Sequence, residues 1–134
     1  WRIQMVSNLS HSGRASLMFF LDGSQDDGTI WIEKSLRLKM SYIMISFWFW
    51  SEEKSEATFC DVIVYVGIDN PSCEEQFTAI GSANQVAGWK QYLYSVHVSA
   101  SKVWVAIGIN VFWETKVCYY IDDIQILPFS DNTI

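Results

Sequence analysis

The chain has 134 residues, of which 50% are hydrophobic and 16% aromatic, and a formal net charge of -6. A chain of this length buries one sizeable core, so we expect a single domain over residues 1–134. The acidic balance, without a cluster of Lys or Arg, argues against nucleic-acid binding through phosphate contacts, and no apolar run approaches the ~20 residues of a membrane-spanning helix. The sequence begins at Trp1 without a Met or a leader-like segment, and we interpret it as a piece of a longer protein.

Runs of apolar, β-branched and aromatic residues alternate with turn-forming segments along the whole chain, and helical periodicity is hard to find. Polar stretches such as DGSQDD and DNPS separate the runs and have the composition of turns. The pattern predicts an all-β protein. The predicted strands are, in chain order, 14–21, 28–38, 40–51, 57–68, 74–82, 89–99, 102–113 and 116–127.

Eight strands of this length are what a two-sheet antiparallel jelly-roll sandwich needs. Its connectivity places predicted strands one, eight, three and six in one sheet and strands two, seven, four and five in the other. The third strand, 40–51, is apolar on both faces, as an interior strand requires. The fifth strand, 74–82, is short and polar, which fits a sheet edge.

Two consecutive aspartates lie in the middle of the last predicted strand, in the segment CYYIDDIQIL. Side chains alternate between the faces of a strand, so Asp122 shares a face with Ile124 and Ile126. We therefore expect Asp122 to be the buried carboxylate and Asp123 to face solvent. An isolated buried charge is very costly, so Asp122 needs backbone N–H groups, a cationic side chain or a metal ion as a partner.

Three segments resemble the jelly-roll carbohydrate-binding modules with a galactose-binding-like sandwich: HSGRASLMFFL (11–21), GWKQYLYSVHV (88–98) and YYIDDIQIL (119–127). MAM adhesion domains, which are also jelly rolls, resemble the chain almost as well through SFWFW (46–50) and IDDIQI (121–126). The resemblance implies a jelly-roll fold, a binding function without catalysis, and an extracellular or cell-surface location.

The resemblance to carbohydrate-binding modules also implies a structural calcium ion. In many of those modules the first Asp of the pair, here Asp122, ligates the ion together with backbone oxygens around the residues that correspond to Ser12, Gly13 and Arg14. In the predicted topology the later half of the last strand lies beside the start of the first, which brings these residues together. Calcium takes ~6–8 oxygen ligands and accepts backbone carbonyls. A carboxylate that accepts hydrogen bonds without a metal is the alternative.

The three cysteines leave their pairing open. Cys60 and Cys118 share their strand faces with apolar residues, so both can point into the core from opposite sheets. Cys60 and Cys73 would lie at opposite ends of a straight strand. A Cys60–Cys118 bridge and three free thiols are therefore the two alternatives, and no spacing suggests zinc or redox chemistry. The acceptor sequence NLS at Asn8 is compatible with an extracellular protein.

No catalytic motif is present around the only two histidines, His11 and His97. Paired acidic residues occur in predicted turns, where adjacent carboxylates are usually solvated charge, and adjacency does not identify the two separated acids of a glycosidase. The sequence therefore predicts a protein that binds rather than catalyses.

Two functions compete for one predicted surface, the outer face of the second, seventh and fourth predicted strands. This surface mixes aromatic rings with polar groups, as a sugar site does. A glycan-binding accessory module would use it for sugar, whereas a structural or protein-interaction domain would use it against a neighbouring domain of the same chain. The predicted ligand-binding residues are Trp31, Glu33, Asp61, Tyr65, Trp104 and Asn110.

Overall fold

The computed structural model describes residues 1–25, 27–38, 41–55 and 59–129. Within these ranges the chain forms nine strands and one turn of 3-10 helix, Glu74–Gln76. The strands are β1 (Arg2–Val6), β2 (Ser16–Asp22), β3 (Gly28–Arg37), β4 (Tyr42–Ser51), β5 (Cys60–Gly67), β6 (Thr78–Ser82), β7 (Gly88–His97), β8 (Lys102–Val111) and β9 (Lys116–Phe129).

The strands form two antiparallel sheets, a five-stranded one in the order β1-β2-β9-β4-β7 and a four-stranded one in the order β3-β8-β5-β6. This arrangement confirms the predicted jelly-roll sandwich and the predicted distribution of strands between its sheets. The last strand, β9, lies between β2 and β4 as expected. In the described part of the chain, no helix has the length and apolar character needed to cross a membrane.

The first strand, β1, was missed by the sequence analysis. Its five residues, RIQMV, pair with β2 from Arg2 opposite Phe20 to Val6 opposite Ser16. Only Ile3 and Val6 are half-buried, and the other three side chains are exposed, because β1 lies at the edge of its sheet. Such a short segment carries too little alternation to be recognised as a strand.

The strand predicted over residues 74–82 starts later in the structure. Residues 74–76 form the 3-10 turn, and the edge strand β6 begins only at Thr78. The predicted starts of two other strands, at residues 40 and 57, lie outside the described residues.

The core lies between the inner faces of the two sheets and is rich in aromatic rings. Phe47 and Phe49 on β4 are at most 1% exposed, and both contact the ring of Tyr92 on β7, at 5.7 and 5.9 Å between ring centroids. Phe49 also contacts Tyr119 on β9, at 5.2 Å. Val62 and Val64 of β5 are fully buried and belong to the same core. Every second residue of these strands therefore faces the core, as the alternation predicts.

A β-bulge interrupts this alternation in β9. Ser46 of β4 pairs with Gln125 and Trp48 pairs with Asp122, so Asp123 and Ile124 together stand opposite the single residue between them. Asp123 has the left-handed φ of 52° that a bulge can require and that Asp tolerates. The extra residue reverses the faces of everything that follows it.

The bulge overturns the expected orientation of Asp122. Ile124 and Ile126 pack against the core, whereas Asp122 lies beside Trp48 on the outer face of the sheet. Asp122 and Asp123 are both half-buried, and both side chains contact the loop between β1 and β2. The expectation that Asp122 shares the face of Ile124 was wrong, because it assumed an uninterrupted strand.

All three cysteines are free thiols, so the Cys60–Cys118 bridge is not formed. Cys60 is fully buried in the core, and burial raises the pKa of its thiol to about 12. Cys118 pairs with Phe20 on the outer face of the other sheet, which separates the two sulfur atoms. Cys73 is exposed.

We expect Phe47→Ala to lower the free energy of unfolding by about 3–5 kcal/mol, because it leaves a cavity among rings that cannot close around it. Urea denaturation followed by tryptophan fluorescence measures this change. Leu93→Ala, on the same sheet but 59% exposed, is the matched control and should change stability by less than ~0.5 kcal/mol. Similar losses for the two variants would contradict the position of the core.

Candidate ligand-binding site

The six residues predicted from the sequence share the outer face of the four-stranded sheet. Asp61 stands opposite Asn110, and Trp31 and Tyr65 flank β8 from the two neighbouring strands. The indole Nε1 of Trp31 donates a hydrogen bond to Glu33 Oε2 at 3.2 Å. The structure therefore places the whole predicted set on one face, with Trp104 and Asn110 about 20 Å apart along β8: Trp31, Glu33, Asp61, Tyr65, Trp104 and Asn110.

The segment between β5 and β6, residues 68–77, lies against this face. The ring of Phe77 contacts Trp31 at 4.9 Å and Tyr65 at 5.8 Å between centroids. Tyr65 also donates a hydrogen bond to the carbonyl of Asp69 at 2.6 Å, and the hydroxyl of Thr29 donates to Glu74 Oε2 at 3.1 Å. The chain itself contacts two of the three rings that the sequence assigned to a ligand, Trp31 and Tyr65. Ligand binding by these residues stays a prediction.

The outer face of the five-stranded sheet holds a second arrangement of polar and aromatic groups. A cleft of about 340 Å³ lies over β4, β7 and β9. Ser46, only 5% exposed, lies at its base between strands β7 and β9. The cleft is lined by Ser46, Trp48, Gln91, Asp123, Ile124 and Gln125.

The polar groups of this cleft can both donate and accept hydrogen bonds. Gln91 and Gln125 are exposed, and each amide carries two N–H donors and a carbonyl acceptor. They lie on opposite sides of β4: Gln91 of β7 pairs with Trp48, and Gln125 of β9 pairs with Ser46. Asp123 adds a carboxylate, which only accepts. Such a lining suits a polar, uncharged ligand with several hydroxyl groups.

An aromatic cluster closes one end of the cleft. The loop between β1 and β2, residues 7–15, crosses the outer face and places the ring of His11 on Trp48, stacked at 4.1 Å with 13° between the planes. The edge of Trp89, from β7, approaches the same imidazole at 5.4 Å. Asn8 of this loop donates to the hydroxyl of Tyr120 at 3.2 Å. The loop therefore forms a wall across the sheet.

The aspartate pair holds this loop in place. Asp122 Oδ2 accepts hydrogen bonds from the backbone N–H groups of His11, at 2.8 Å, and Ser12, at 3.1 Å. Asp123 accepts the hydroxyl of Ser12 at 2.6 Å and contacts His11 Nδ1 at 2.6 Å. These hydrogen bonds, from Ser12 first and His11 second, lower the pKa of Asp123, so its carboxylate is ionised at neutral pH.

The hydrogen-bond donors around Asp122 suit a carboxylate that accepts hydrogen bonds better than one that ligates calcium. Both N–H groups of the loop point at Oδ2, Oδ1 accepts the N–H of Asp123 at 2.8 Å, and the carbonyl of Gly13 accepts the hydroxyl of Ser10 at 3.1 Å. Among the described residues, no group of three or more His, Cys, Asp or Glu converges on a point. Calcium at Asp122, Ser12, Gly13 and Arg14 stays a prediction of the resemblance.

A second aromatic cluster lies towards the other end of the same strands. Tyr42 stacks on Phe129 at 5.2 Å and meets the ring of His97 edge-on at 5.1 Å. Tyr42 is six residues from Trp48 along β4, which corresponds to about 20 Å. The surface between the two clusters carries the exposed side chains of Leu93 and Leu127, at 59% and 46%. The two clusters thus bracket an open track across the sheet.

The arrangement of Ser12, Asp123 and His11 does not form a catalytic triad. In a triad the imidazole lies between the hydroxyl and the carboxylate, so that it can take the hydroxyl proton. Here the carboxylate of Asp123 lies in the middle, and the imidazole nitrogen contacts the carboxylate instead of the hydroxyl. The geometry holds a loop and activates no nucleophile.

Sequence analysis missed the residues of this second face. Strand β4 is apolar on both faces, which was interpreted as the signature of an interior strand, and the outward rings were not considered as a surface. The available signal was the alternation of Trp48 and Trp50 with core residues, next to Trp89 and Gln91 on the paired strand. The position of His11 over Trp48 depends on the path of a loop and leaves no signal in the pattern.

Several solved structures with a similar fold are carbohydrate-binding modules. The module TmCBM61, solved in complex with beta-1,4-galactotriose, aligns with 95% of this chain and 82% of its own at 14% identity and a TM-score of 0.63. A family 16 carbohydrate-binding module aligns with 93% and 84% at 13% identity and 0.60. The CBM22-1 xylan-binding domain of Paenibacillus barcinonensis Xyn10C aligns with 96% and 81% at 14% identity and 0.57.

No protein-family model and no curated protein sequence matches the chain. At these identities the structural neighbours show that the jelly-roll fold is shared. They do not assign a ligand to this chain.

We expect Asp122→Ala to loosen the loop of residues 7–15, because the N–H groups of His11 and Ser12 lose their acceptor. The free energy of unfolding should fall by about 1 kcal/mol, and the amide protons of His11 and Ser12 should exchange faster with solvent. Hydrogen exchange followed by NMR measures both. Glu75→Ala removes an exposed carboxylate elsewhere and is the control. Unchanged exchange at His11 and Ser12 would contradict the role of Asp122.

A chelator separates the two readings of Asp122. If hydrogen bonds alone satisfy the carboxylate, EDTA should leave the melting temperature unchanged. A bound ion would stabilise the native state, so EDTA would lower the melting temperature and calcium would restore it. Differential scanning calorimetry at matched ionic strength makes the comparison, and a calcium-reversible loss would contradict the hydrogen-bonded arrangement.

Proposed function

We propose that this domain is a non-catalytic carbohydrate-binding module and that its sugar site is the cleft over β4, β7 and β9, referred to below as the sheet cleft. The observation that carries the proposal is the lining of the sheet cleft: two exposed amides, one carboxylate and the side of a tryptophan, bracketed by two aromatic clusters. Sugars present apolar faces to aromatic rings and hydroxyl groups to amides and acids. A pocket of about 340 Å³ is within the ~300–1,000 Å³ typical of small-molecule sites.

The charges around the sheet cleft favour a neutral glycan. Among the described residues, neither Lys nor Arg lines it, and Asp123 is ionised. A uronic acid or a sulfated sugar would bring a second negative charge next to Asp123, and no Lys or Arg in the lining would compensate it. A neutral sugar can donate a hydroxyl proton to the same carboxylate.

The fold supports the choice of ligand class. TmCBM61 was solved with beta-1,4-galactotriose and the CBM22-1 domain is described as xylan-binding, so this sandwich is used to bind glycans in other proteins. We infer that the domain is an accessory part of a longer secreted or cell-surface protein. A neighbouring domain of that protein is the second partner that we propose.

A protein-interaction domain is the alternative function, and the exposed leucines favour it. Leu93 and Leu127 lie on the track between the aromatic clusters and expose 59% and 46% of their surface. An adhesion-type partner could bury them, whereas a sugar makes limited use of aliphatic side chains. Binding to glycans distinguishes the two functions.

We expect the isolated domain to bind neutral glycans in affinity electrophoresis with β-1,4-galactan, xylan and β-glucan. Gln91→Ala and Gln125→Ala should each raise the dissociation constant about fivefold, since each removes hydrogen bonds worth about 1 kcal/mol. Both side chains are exposed, so neither variant should unfold the domain. Isothermal titration calorimetry with the best glycan gives the dissociation constants.

Variants on the opposite face provide the control for this experiment. Glu33→Ala and Trp104→Ala change the outer face of the four-stranded sheet and should leave binding unchanged. A loss of binding in these two variants, with none in the Gln variants, would move the site to the face predicted from the sequence. Failure of the folded domain to bind any glycan on an array would favour the protein-interaction function.

A further inference from the structure

The turn between β8 and β9, residues 112–115, presents the most exposed aromatic rings described in this structure. Trp113 is 62% exposed and Phe112 is 41% exposed. Tryptophan usually buries most of its large apolar surface, because burial removes that surface from water. Two adjacent rings left in solvent at the end of the sandwich form an exposed apolar patch, a feature typical of interaction sites.

These rings border a cleft of about 680 Å³, twice the volume of the sheet cleft. The turn after β2 forms its opposite side, because Asp22 pairs with Lys116 at the start of β9. Gly23 begins this turn with a φ of 79°, a left-handed conformation that glycine adopts without steric cost. The lining is Asp22, Gly23, Phe112, Trp113, Glu114, Thr115 and Lys116.

The polar groups of this end cleft carry both signs of charge. Asp22 is 43% exposed, and Ser24 donates its N–H, at 2.9 Å, and its hydroxyl to Oδ1. These hydrogen bonds orient the carboxylate and lower its pKa, so Asp22 is ionised at neutral pH. Glu114 and Lys116 are both exposed at the same cleft. The cleft thus combines two carboxylate acceptors, of which Asp22 is held by hydrogen bonds, with an ammonium donor and a flat ring.

We propose that the end cleft is a second carbohydrate-binding site, in which a neutral sugar ring stacks on Trp113 and hydrogen-bonds to Asp22, Glu114 and Lys116. The proposal rests on the function proposed above. A polyanionic ligand would meet the two carboxylates, and a cationic one would meet Lys116, whereas sugar hydroxyls donate to the carboxylates and accept from the ammonium group. A neutral polyhydroxyl ligand is the class that uses all three charged groups.

The two clefts are too far apart to bind adjacent sugars. Lys116 at the end cleft and Asp123 at the sheet cleft are separated by seven residues of β9, which corresponds to about 20 Å. A trisaccharide would occupy one cleft at a time, whereas separate segments of a polysaccharide can occupy both. Linked binding events gain from effective concentration, so the end cleft should matter most for polymers.

Titration of the domain labelled with ¹⁵N-tryptophan tests the proposal, because each of the seven indoles gives one NMR signal. The probes are β-1,4-galactotriose, xylotriose and cellotriose, and Trp113→Ala assigns the signal of Trp113. We expect at least one probe to shift the Trp113 signal saturably, with the same dissociation constant in wild type and in the Gln91→Ala/Gln125→Ala variant. A Trp113 signal that none of the three probes moves would overturn the second site.

The same titration separates this proposal from the first. If the Trp113 signal moves and that of Trp48 does not, the end cleft stands and the sheet cleft fails as a site. If Trp48 responds and Trp113 does not, only the sheet cleft binds, and if no indole responds, both proposals fail.

Affinity electrophoresis with the matching polysaccharide adds a second readout. Trp113→Ala should weaken retention by at least ~10-fold while the affinity of the sheet cleft for the trisaccharide stays unchanged. Ile68→Ala removes a side chain that is 70% exposed outside both clefts and is the control. Equal retention of wild type and Trp113→Ala would contradict binding at the end cleft.

Discussion

The left-handed residue Asp123 determines which face of β9 each later side chain occupies, and the arrangement of the outer surface depends on it. Without the bulge, regular alternation would place one of the two aspartates in the apolar core. With the bulge, both carboxylates reach the loop of residues 7–15 and Ile124 returns to the core. The loop is then fixed over Trp48 by the stacked ring of His11. One extra residue in a strand thus supports both the packing of the sandwich and the wall of the sheet cleft.

The number of predicted strands and their division into two sheets followed from local signals. Alternating apolar residues marked eight of the nine strands that the structure describes, and jelly-roll connectivity then fixed their neighbours. The bulge left no comparable signal. Asp tolerates a left-handed φ, and the sequence of an Asp pair is the same in a regular strand and in a bulge. Strand β1 was missed for another reason. As an edge strand it has only two half-buried side chains, which are too few to form a recognisable alternation of apolar and polar residues.

The candidate site shows which features cannot be predicted from the alternation of residues along a strand. Alternation correctly placed Trp31, Tyr65 and Trp104 on one outer face, because the face of a side chain is a local property of its strand. Whether that face meets solvent depends on the path of residues 68–77, because the ring of Phe77 lies against it. The same limit applies to the sheet cleft, since its wall is a loop more than a hundred positions away in sequence from Asp122. Connecting segments decide which strand faces remain available to a ligand.

The central position of β9 has a consequence for how the chain acquires its structure. This strand is the last of the nine in the described residues, yet it lies between β2 and β4 and pairs Ile121 with Leu17. During synthesis, the earlier strands of its sheet leave the ribosome first, and their edges stay unpaired until residues 116–129 have been synthesised. Pairings this distant in sequence close slowly, and unpaired edges are prone to aggregation meanwhile. Recombinant yield should therefore be more sensitive to substitutions in β9 than its share of the core would suggest, because delay in docking this strand exposes the whole sandwich.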